Sequence, residues 1–315
     1  MISKRSKIFL TGHKGLVGSE ILRKLTQTGY KNILTIDRKK LDLTNQQKVF
    51  KFIKKNKPKY IIIAAARVGG IKANVKYPAE FLFQNMAIQN NLIHGAYLNK
   101  IKNIIFLGSS CIYPKKCKQP MKESFLLLGK PEETNLSYAI AKIAGVQLCS
   151  SYNKQYNTNY NSLIVSNSYG PYDNFNLNTS HFFPALIRKC YTAKKLGKKN
   201  INLLGKPNTR RELIFSEDVA DACIYFLKKN PKEKIINVGS GKDYTIKEYA
   251  EFIMKEMNIK LKIKFSGKFS GINKKLLDVR LMKKLGFTPN TNLKKGFKLT
   301  FENFLKKQKL KNSIN

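Results

Sequence analysis

A glycine triplet constrains this chain more than any other feature. In "FLTGHKGLVGSE", Gly12, Gly15 and Gly18 stand between the first apolar run and the first amphipathic stretch. Glycine permits a tight turn and a close backbone approach. A helix start offers free N–H groups and the positive end of its dipole. Strand, Gly-rich turn and helix in this order predict a cradle for the pyrophosphate of a dinucleotide. The spacing is G-x-x-G-x-x-G, and its weight comes from its place at the head of an alternating pattern. Apolar runs at 7–10, 33–37, 60–64, 103–107, 162–166 and 235–238 read as strands. Longer stretches between them repeat apolar residues at helical spacing, such as Ile21, Leu22 and Leu25, or Val49, Phe50 and Ile53. Strands alternating with helices of this length predict an α/β fold, a doubly wound parallel sheet of the Rossmann type.

The pattern changes after about residue 170. A loop rich in Gly, Pro, Asp and Asn precedes a helix expected over 184–195 and the run "INLLG". The segment 216–229 reads as a helix capped by Ser216, with Glu217 and Asp218 in its first turn. Another follows with a Thr cap. This organisation predicts a cofactor domain from 1–178 and 213–239. A smaller, interleaved α/β substrate domain takes 179–212 and 240–305, and 306–315 is a frayed polar tail.

The formal net charge is +41, which raises nucleic acid or an anionic surface as a partner. Eight arginines leave 52 of the 60 basic residues as lysine, spread over nearly every segment. Base reading favours arginine forks. An anionic small molecule is therefore the expected partner, with neither nucleic acid nor membrane. The longest clear apolar run, 60–66, is far short of the roughly 20 residues of a membrane span. Five cysteines, Cys111, Cys117, Cys149, Cys190 and Cys223, include no C-x-x-C pair. That argues against a disulfide framework or a metal site and fits a reducing, cytoplasmic setting. Cys149 and Cys223 sit in helical apolar patterns and read as core.

Which dinucleotide is bound stays open on residues alone. Asp37 ends the second strand, 19 residues after Gly18, where an acid would take a ribose 2′-OH and favour NAD. Arg38 and Lys14 could neutralise a 2′-phosphate. Asp42 could meet the adenine or cap a turn before Thr44.

"SYAIAKIAG" places Tyr138 and Lys142 four residues apart, on one helix face. An ammonium beside a phenol favours its ionised form, each pKa unit being about 1.4 kcal/mol. Ser109, 29 residues earlier, ends the fourth strand and can hold a carbonyl oxygen. The three form a proton relay for a ketone beside a nicotinamide. This set is identified with the short-chain dehydrogenase/reductase group, in its extended, sugar-nucleotide branch. Cys111 lies two residues past Ser109, beside the same carbonyl. Of the three histidines, His13 is in the glycine loop and His94 reads as structural, while His181 enters the second domain. In a 4-keto sugar the C3 and C5 hydrogens are acidic. Inverting such a carbon needs one proton-transfer group on each face. A thiol and an imidazole both titrate near neutrality and can serve.

The blocks "GHKGLVGS", "AAARVGGIKAN", "YPAEFLFQNM", "FLGSSCIYPK", "QPMKES", "YAIAKIAG", "YGPYDNF", "SHFFPAL" and "INVGSG" together resemble the GDP-L-fucose synthase family. These are GDP-4-keto-6-deoxy-D-mannose 3,5-epimerase/4-reductases. The resemblance implies NADPH, with Ser109, Tyr138 and Lys142 as the reductase set and Cys111 and His181 as the epimerase pair. For the cofactor it implies Gly12, Lys14, Gly15, Leu16, Val17, Gly18, Arg38, Asp42, Leu107 and Asn167, with Ser109, Tyr138, Lys142 and His181. For the substrate it implies Asn167, Lys189, Leu204, Arg211 near the pyrophosphate, and Lys275. It also implies a homodimer packed through the helices at 81–98 and 138–156. Two positions depart from the family pattern. "FSGINKKLLD" replaces a Pro–Asp turn with Ser270, and Leu204 stands where an aromatic is usual. A related GDP-4-keto sugar, such as a 6-deoxy-heptose or colitose precursor, is the alternative substrate.

Overall fold

The computed structural model describes residues 2–267 and 272–312. The chain runs β1 (Ile8–Thr11), α1 (Leu16–Gln27), β2 (Ile33–Leu34), α2 (Gln46–Asn56), β3 (Tyr60–Ile63), α3 (Ile71–Lys76), α4 (Pro78–Leu98) and β4 (Asn103–Ser109). It continues with α5 (Leu136–Tyr156), β5 (Asn159–Val165), β6 (Asn167–Tyr169), α6 (Phe182–Lys195), β7 (Asn200–Leu203), β8 (Arg210–Phe215), α7 (Ser216–Lys229) and β9 (Ile235–Val238). Last come β10 (Asp243–Thr245), α8 (Ile246–Glu256), β11 (Lys262–Phe265), β12 (Lys274–Lys275), α9 (Arg280–Lys284) and α10 (Leu293–Asn312).

The main sheet has six strands in the order β2-β1-β3-β4-β5-β9, all parallel. β1 and β3 are buried at every position. Helices on both faces demand this, so these strands read as unbroken apolar runs. The chain leaves β1 for β2 on one side and returns to β3 on the other. This switch opens a crevice at the C-terminal ends of β1 and β3, where such sheets take their ligands.

Long helices α4 and α5 pack side by side against the sheet. Gly145 lets them close up: a Cβ there would lie 2.4 Å from the Phe106 ring and 2.7 Å from Gln89 Oε1. Gln89 in turn donates to the Ala141 carbonyl across the pair at 2.6 Å. His94 hydrogen-bonds Tyr152 between the same helices (2.6 Å) and lies by Phe50 and Tyr97, a structural place.

A second core gathers Tyr169, Phe183, Phe215, Tyr249 and Phe304. Around it β8 pairs with β6, β10 and β12, and β7 pairs with β11. Buried polar groups tie the two regions. Glu212 accepts from the Gly241 and Leu277 N–H groups at 2.7 and 2.9 Å. Asn237 donates to the Met121 and Asp278 carbonyls at 2.9 and 3.1 Å.

Several sequence expectations change. β2 is a strand only over Ile33–Leu34, not 33–37, because an edge strand has one neighbour to hold it. Ser216 is the first residue of α7 and not its cap; Phe215 holds that position. The Ser216 hydroxyl is fully buried beneath Gly170, with no hydrogen-bond partner. Glu217 and Asp218 do occupy the first turn, and Thr245 forms a capping box with Glu248. α6 starts at Phe182, two residues early, with His181 as its N-cap. α10 continues to Asn312 where a frayed tail was expected at 306. Lys, Gln and Leu are good helix formers, and the buried Phe304 anchors the preceding turns. Residues 313–315 and the altered positions Phe269 and Ser270 lie outside the described residues.

Candidate active site

The glycine loop closes on itself and on β3. The Gly15 N–H donates to the Gly12 carbonyl at 2.9 Å. Gly12 has φ +73°, and a Cβ there would lie 2.7 Å from the Ala65 nitrogen; a Cβ on Gly18 would reach 2.0 Å from the Gly12 oxygen. Only glycine fits both places. Gly15 precedes α1, with no capping side chain and no acid in the first turn. Those N–H groups and the helix dipole suit an anion, so the loop fits a dinucleotide pyrophosphate. Leu16 and Val17 open the helix, and Val17 packs against the main core.

Asp37 is not free to receive a ribose. Its carboxylate pairs with Lys14 Nζ at 2.8 Å and His13 Nε2 at 3.2 Å. The Lys14 hydrogen bond is the main cause that holds its pKa below the usual carboxylate range. Arg38 is exposed beside it. Asp42 accepts from the Thr44 N–H and hydroxyl at 2.9 and 2.8 Å, forming a turn before Asn45, which caps α2.

At the end of β4 the chain tightens into a single turn, Ser110–Ile112. Ser109 Oγ accepts from the Cys111 backbone N–H at 3.3 Å, which ties the Ser109 hydroxyl to the turn that carries Cys111. Ser109 also favours the charged forms of Cys111 and Tyr138 through side-chain hydrogen bonds. Cys111 Sγ accepts from Lys275 Nζ and Asn135 Nδ2, both at 3.1 Å. Burial pushes the thiol up. Opposing it, the Lys275 charge, hydrogen bonds from Ser109 and Lys275, and the Arg211 charge bring it below the ordinary range.

Tyr138 departs from expectation. Its phenol is pushed above the usual range by burial and then by Cys111, against the Ser109 hydrogen bond. Lys142 does not reverse this. Its ammonium donates to the Leu107 carbonyl at 2.8 Å and lies 5.9 Å from the Tyr138 ring centroid. Burial lowers Lys142 itself to about 8.

His181, the N-cap of α6, feels the Lys275 charge. The protein crowded around it, then the Lys275 charge, hold its imidazole below the ordinary range. Its loop is held at the site: the Gly70 N–H donates to the Thr179 carbonyl at 3.1 Å. Phe81 touches Gly69 on one side and meets Tyr138 edge-on, with centroids 6.3 Å apart, on the other.

Arg211 Nη1 donates to the Arg210 and Ile272 carbonyls at 2.8 and 2.7 Å. Asn167 opens β6 in register with Leu213. Lys189 lies further along α6, where Nζ donates to the Asn202 carbonyl at 2.6 Å. Leu204 is 49% exposed just past β7.

Thus Ser109, Cys111, Tyr138, Arg211 and Lys275 converge, with His181 in reach of the Lys275 charge. Sequence reasoning missed Asn135. An Asn before a helix reads as a cap, yet Asn135 makes no cap hydrogen bond and turns to Cys111 instead. It also missed the Lys14–Asp37–His13 cluster, although the three residue types were in view.

Several known proteins match nearly the whole length of this chain. GDP-L-fucose synthase 1 of Arabidopsis thaliana is 43% identical over 97% of this chain and 95% of its own length. GDP-L-fucose synthase of Escherichia coli (strain K12) is 41% identical over 96% and 98%. Among solved structures, a GDP-6-OMe-4-keto-L-xylo-heptose reductase from C. jejuni superposes with a TM-score of 0.91 at 33% identity, covering 98% of this chain and 99% of that one. A GDP-mannoheptose C4 reductase from Campylobacter jejuni with NADP bound gives 0.87 at 35% identity, covering 96% and 99%. The sequence profile described as the NAD dependent epimerase/dehydratase family matches residues 8–239, and with the glycine cradle and the Ser–Tyr–Lys set this chain belongs to that family.

Proposed function

We propose that this chain carries out the NADPH-dependent 3,5-epimerisation and 4-reduction of GDP-4-keto-6-deoxy-D-mannose to GDP-L-fucose. The observation that carries the reading is the convergence of Ser109, Tyr138 and Cys111 at the end of β4, beside the cradle of Gly12 to Gly18. Relatives named GDP-L-fucose synthase support the substrate. NADPH fits the neutralised Asp37, and a solved relative holds NADP.

Gly12 to Gly18 would hold the pyrophosphate, and Lys14 and Arg38 the 2′-phosphate. When bound, NADPH supplies the hydride for C4. The residues do the rest. The Ser109 hydroxyl holds the C4 oxygen. Tyr138, kept protonated by burial, gives that oxygen its proton. Lys142, anchored on Leu107, holds a cation beneath the relay. Before reduction, the same grip on oxygen stabilises the enolate formed when C3 or C5 loses a proton. Cys111 and His181 serve the two faces of the ring. Arg211 faces the pyrophosphate, as a bidentate guanidinium can, with Lys189, Asn167 and Leu204 along the sugar and nucleoside.

The cofactor domain is assigned to 1–178 and 213–239, and the substrate domain to 179–212 and 240–305. A cytoplasmic homodimer through α4 and α5 completes the reading. Exposed Phe83, Leu98 and Ile140 on those helices support it, and no described helix is long and apolar enough to cross a membrane.

A second reading is a C4 reductase on a related GDP-4-keto sugar. The 0.91 superposition on a heptose reductase and the exposed Leu204 favour it. Incubation with GDP-4-keto-6-deoxy-D-mannose in D2O without NADPH separates the two. Deuterium at C3 and C5, then GDP-L-fucose once NADPH is added, is expected. Reduction at C4 without exchange at either carbon would leave only the second reading.

A further inference from the structure

Lys275 is placed with unusual care for a surface-rich cation. It is 9% exposed, in a chain whose other lysines mostly face water. β12 seats it beside Arg211 on β8. The next residues are stitched to the loop that follows Cys111. The Leu276 N–H donates to Gln119 Oε1 (2.9 Å), and the Met121 N–H donates to the Leu276 carbonyl (2.8 Å). The Asp278 N–H then donates to the Met121 carbonyl, also at 2.8 Å. Two chain segments far apart in sequence are thereby fixed in register, and the product is one contact, Lys275 Nζ to Cys111 Sγ at 3.1 Å.

We propose that Lys275 is the counter-ion of a Cys111 thiolate: a positioning residue that readies this sulfur to take a proton from the sugar. The inference rests on the epimerase reading for its purpose, though not for its chemistry. An ammonium at contact distance favours the charged partner, more so where water is scarce. The other groups facing the sulfur agree or are neutral. Arg211 adds a second positive charge, Asn135 donates a hydrogen bond at 3.1 Å, and Ser109 is a hydroxyl. Tyr138, on α5, stays a neutral phenol. His181 feels the same Lys275 charge, which disfavours a second cation there.

The proton count closes. The thiolate gains the proton as the C–H bond breaks, and the electron pair moves to the C4 oxygen. His181, a neutral imidazole, relays a solvent proton to the opposite face as the carbonyl reforms, one ring nitrogen taking a proton from water while the other gives one up, and the Cys111 thiol then returns its proton to solvent. Throughout, Lys275 keeps its own proton and serves only as a fixed charge.

The test is the pH profile of Cys111 alkylation by iodoacetamide, from pH 5 to 10, in the full-length protein. Peptide mass spectrometry resolves Cys111 from Cys117 and from the buried Cys149, Cys190 and Cys223. In the wild type the inflection is expected below the ordinary thiol value of about 8.5. Lys275→Met should raise it by about one unit or more, slowing alkylation at pH 7 about tenfold. Lys275→Arg, which keeps the charge, should restore much of the reactivity. NADP+ binding by the Met variant checks that it is folded. A wild-type inflection at or above 8.5 overturns the proposal without any variant, as does an unchanged profile in Lys275→Met. Alkylation reports on Lys275 alone, whereas deuterium exchange reports on epimerisation, so either can fail without the other.

Discussion

Asp37 alone argues for one cofactor, and its neighbours argue for the other. A carboxylate just past the second strand would repel a 2′-phosphate. Here Lys14 and His13 already hold it, at 2.8 and 3.2 Å. The acid becomes an anchor for Lys14, which under the proposed reading meets the 2′-phosphate. Lys14→Ala is therefore expected to weaken NADP+ binding by about tenfold or more, the worth of one charge-assisted contact, and to leave NAD+ binding level or improved. Titration calorimetry with both dinucleotides checks this, and equal losses for the two would refute it. Residues like Ser109, Tyr138 and Lys142 were legible because local spacing sets them: a strand end, then four residues on one helix. The Lys275 contact was not legible, since Cys111 and Lys275 are 164 positions apart and meet only through tertiary pairing. Nor was the Tyr138 shift, because helix spacing places Lys142 near the ring but does not say that its ammonium turns to Leu107.

At the scale of elements, β8 is the seam, and Glu212 is its fastener. The buried carboxylate takes N–H groups from Leu277, two residues past β12, and from Gly241 in the turn after β9. Burial pushes its pKa from 4.5 up to about 7, against those two hydrogen bonds. Between about pH 4.5 and 7 the folded chain thus binds more protons at this site than the unfolded chain. Stability falls as pH rises through that window and levels off above it. The fall due to this one group is on the order of 3 kcal/mol at most. Asp173, also raised to about 7, slopes the same way, so the comparison must be with Glu212→Gln. Urea unfolding at several pH values should show a flatter profile for the variant, from a lower starting point because an amide offers one acceptor where two N–H groups wait. Parallel profiles would place the titration elsewhere. None of this seam was visible in the sequence, where "KPNTRRE" reads as a loop, yet Arg210, Arg211 and Glu212 open β8. Strands of the main sheet were legible because burial on both faces leaves continuous apolar runs. β6, β10 and β12 were missed because each is two or three residues long and is held by β8 rather than by its own pattern.

The whole molecule carries 60 Lys and Arg against 19 Asp and Glu. Most cations can have no acid of their own, and the acids that exist are shared: Glu217 pairs with both Arg23 and Lys24. Two opposing electrostatic effects follow. Ion pairs stabilise and are weakened by salt, whereas the net repulsion among surplus lysines destabilises and is also weakened by salt. With exposed pairs worth about 0–1 kcal/mol each and a net charge of +41, repulsion should win. The screening length shrinks from about 30 Å at 0.01 M to about 8 Å at 0.15 M, the latter well inside the width of the chain. The melting temperature is therefore expected to rise as NaCl goes from 10 to 150 mM, and a fall would mean the ion pairs dominate. The same titration bears on partners. Lysines scattered over nearly every segment, with few arginines, can attract a polyanion but offer no face that reads it. DNA retained at low salt should be released between roughly 50 and 200 mM, as a purely counterion-driven contact requires. Tight DNA binding that persists at 150 mM would mean the surplus charge serves a nucleic acid, and the small anion proposed for the cleft would no longer account for it.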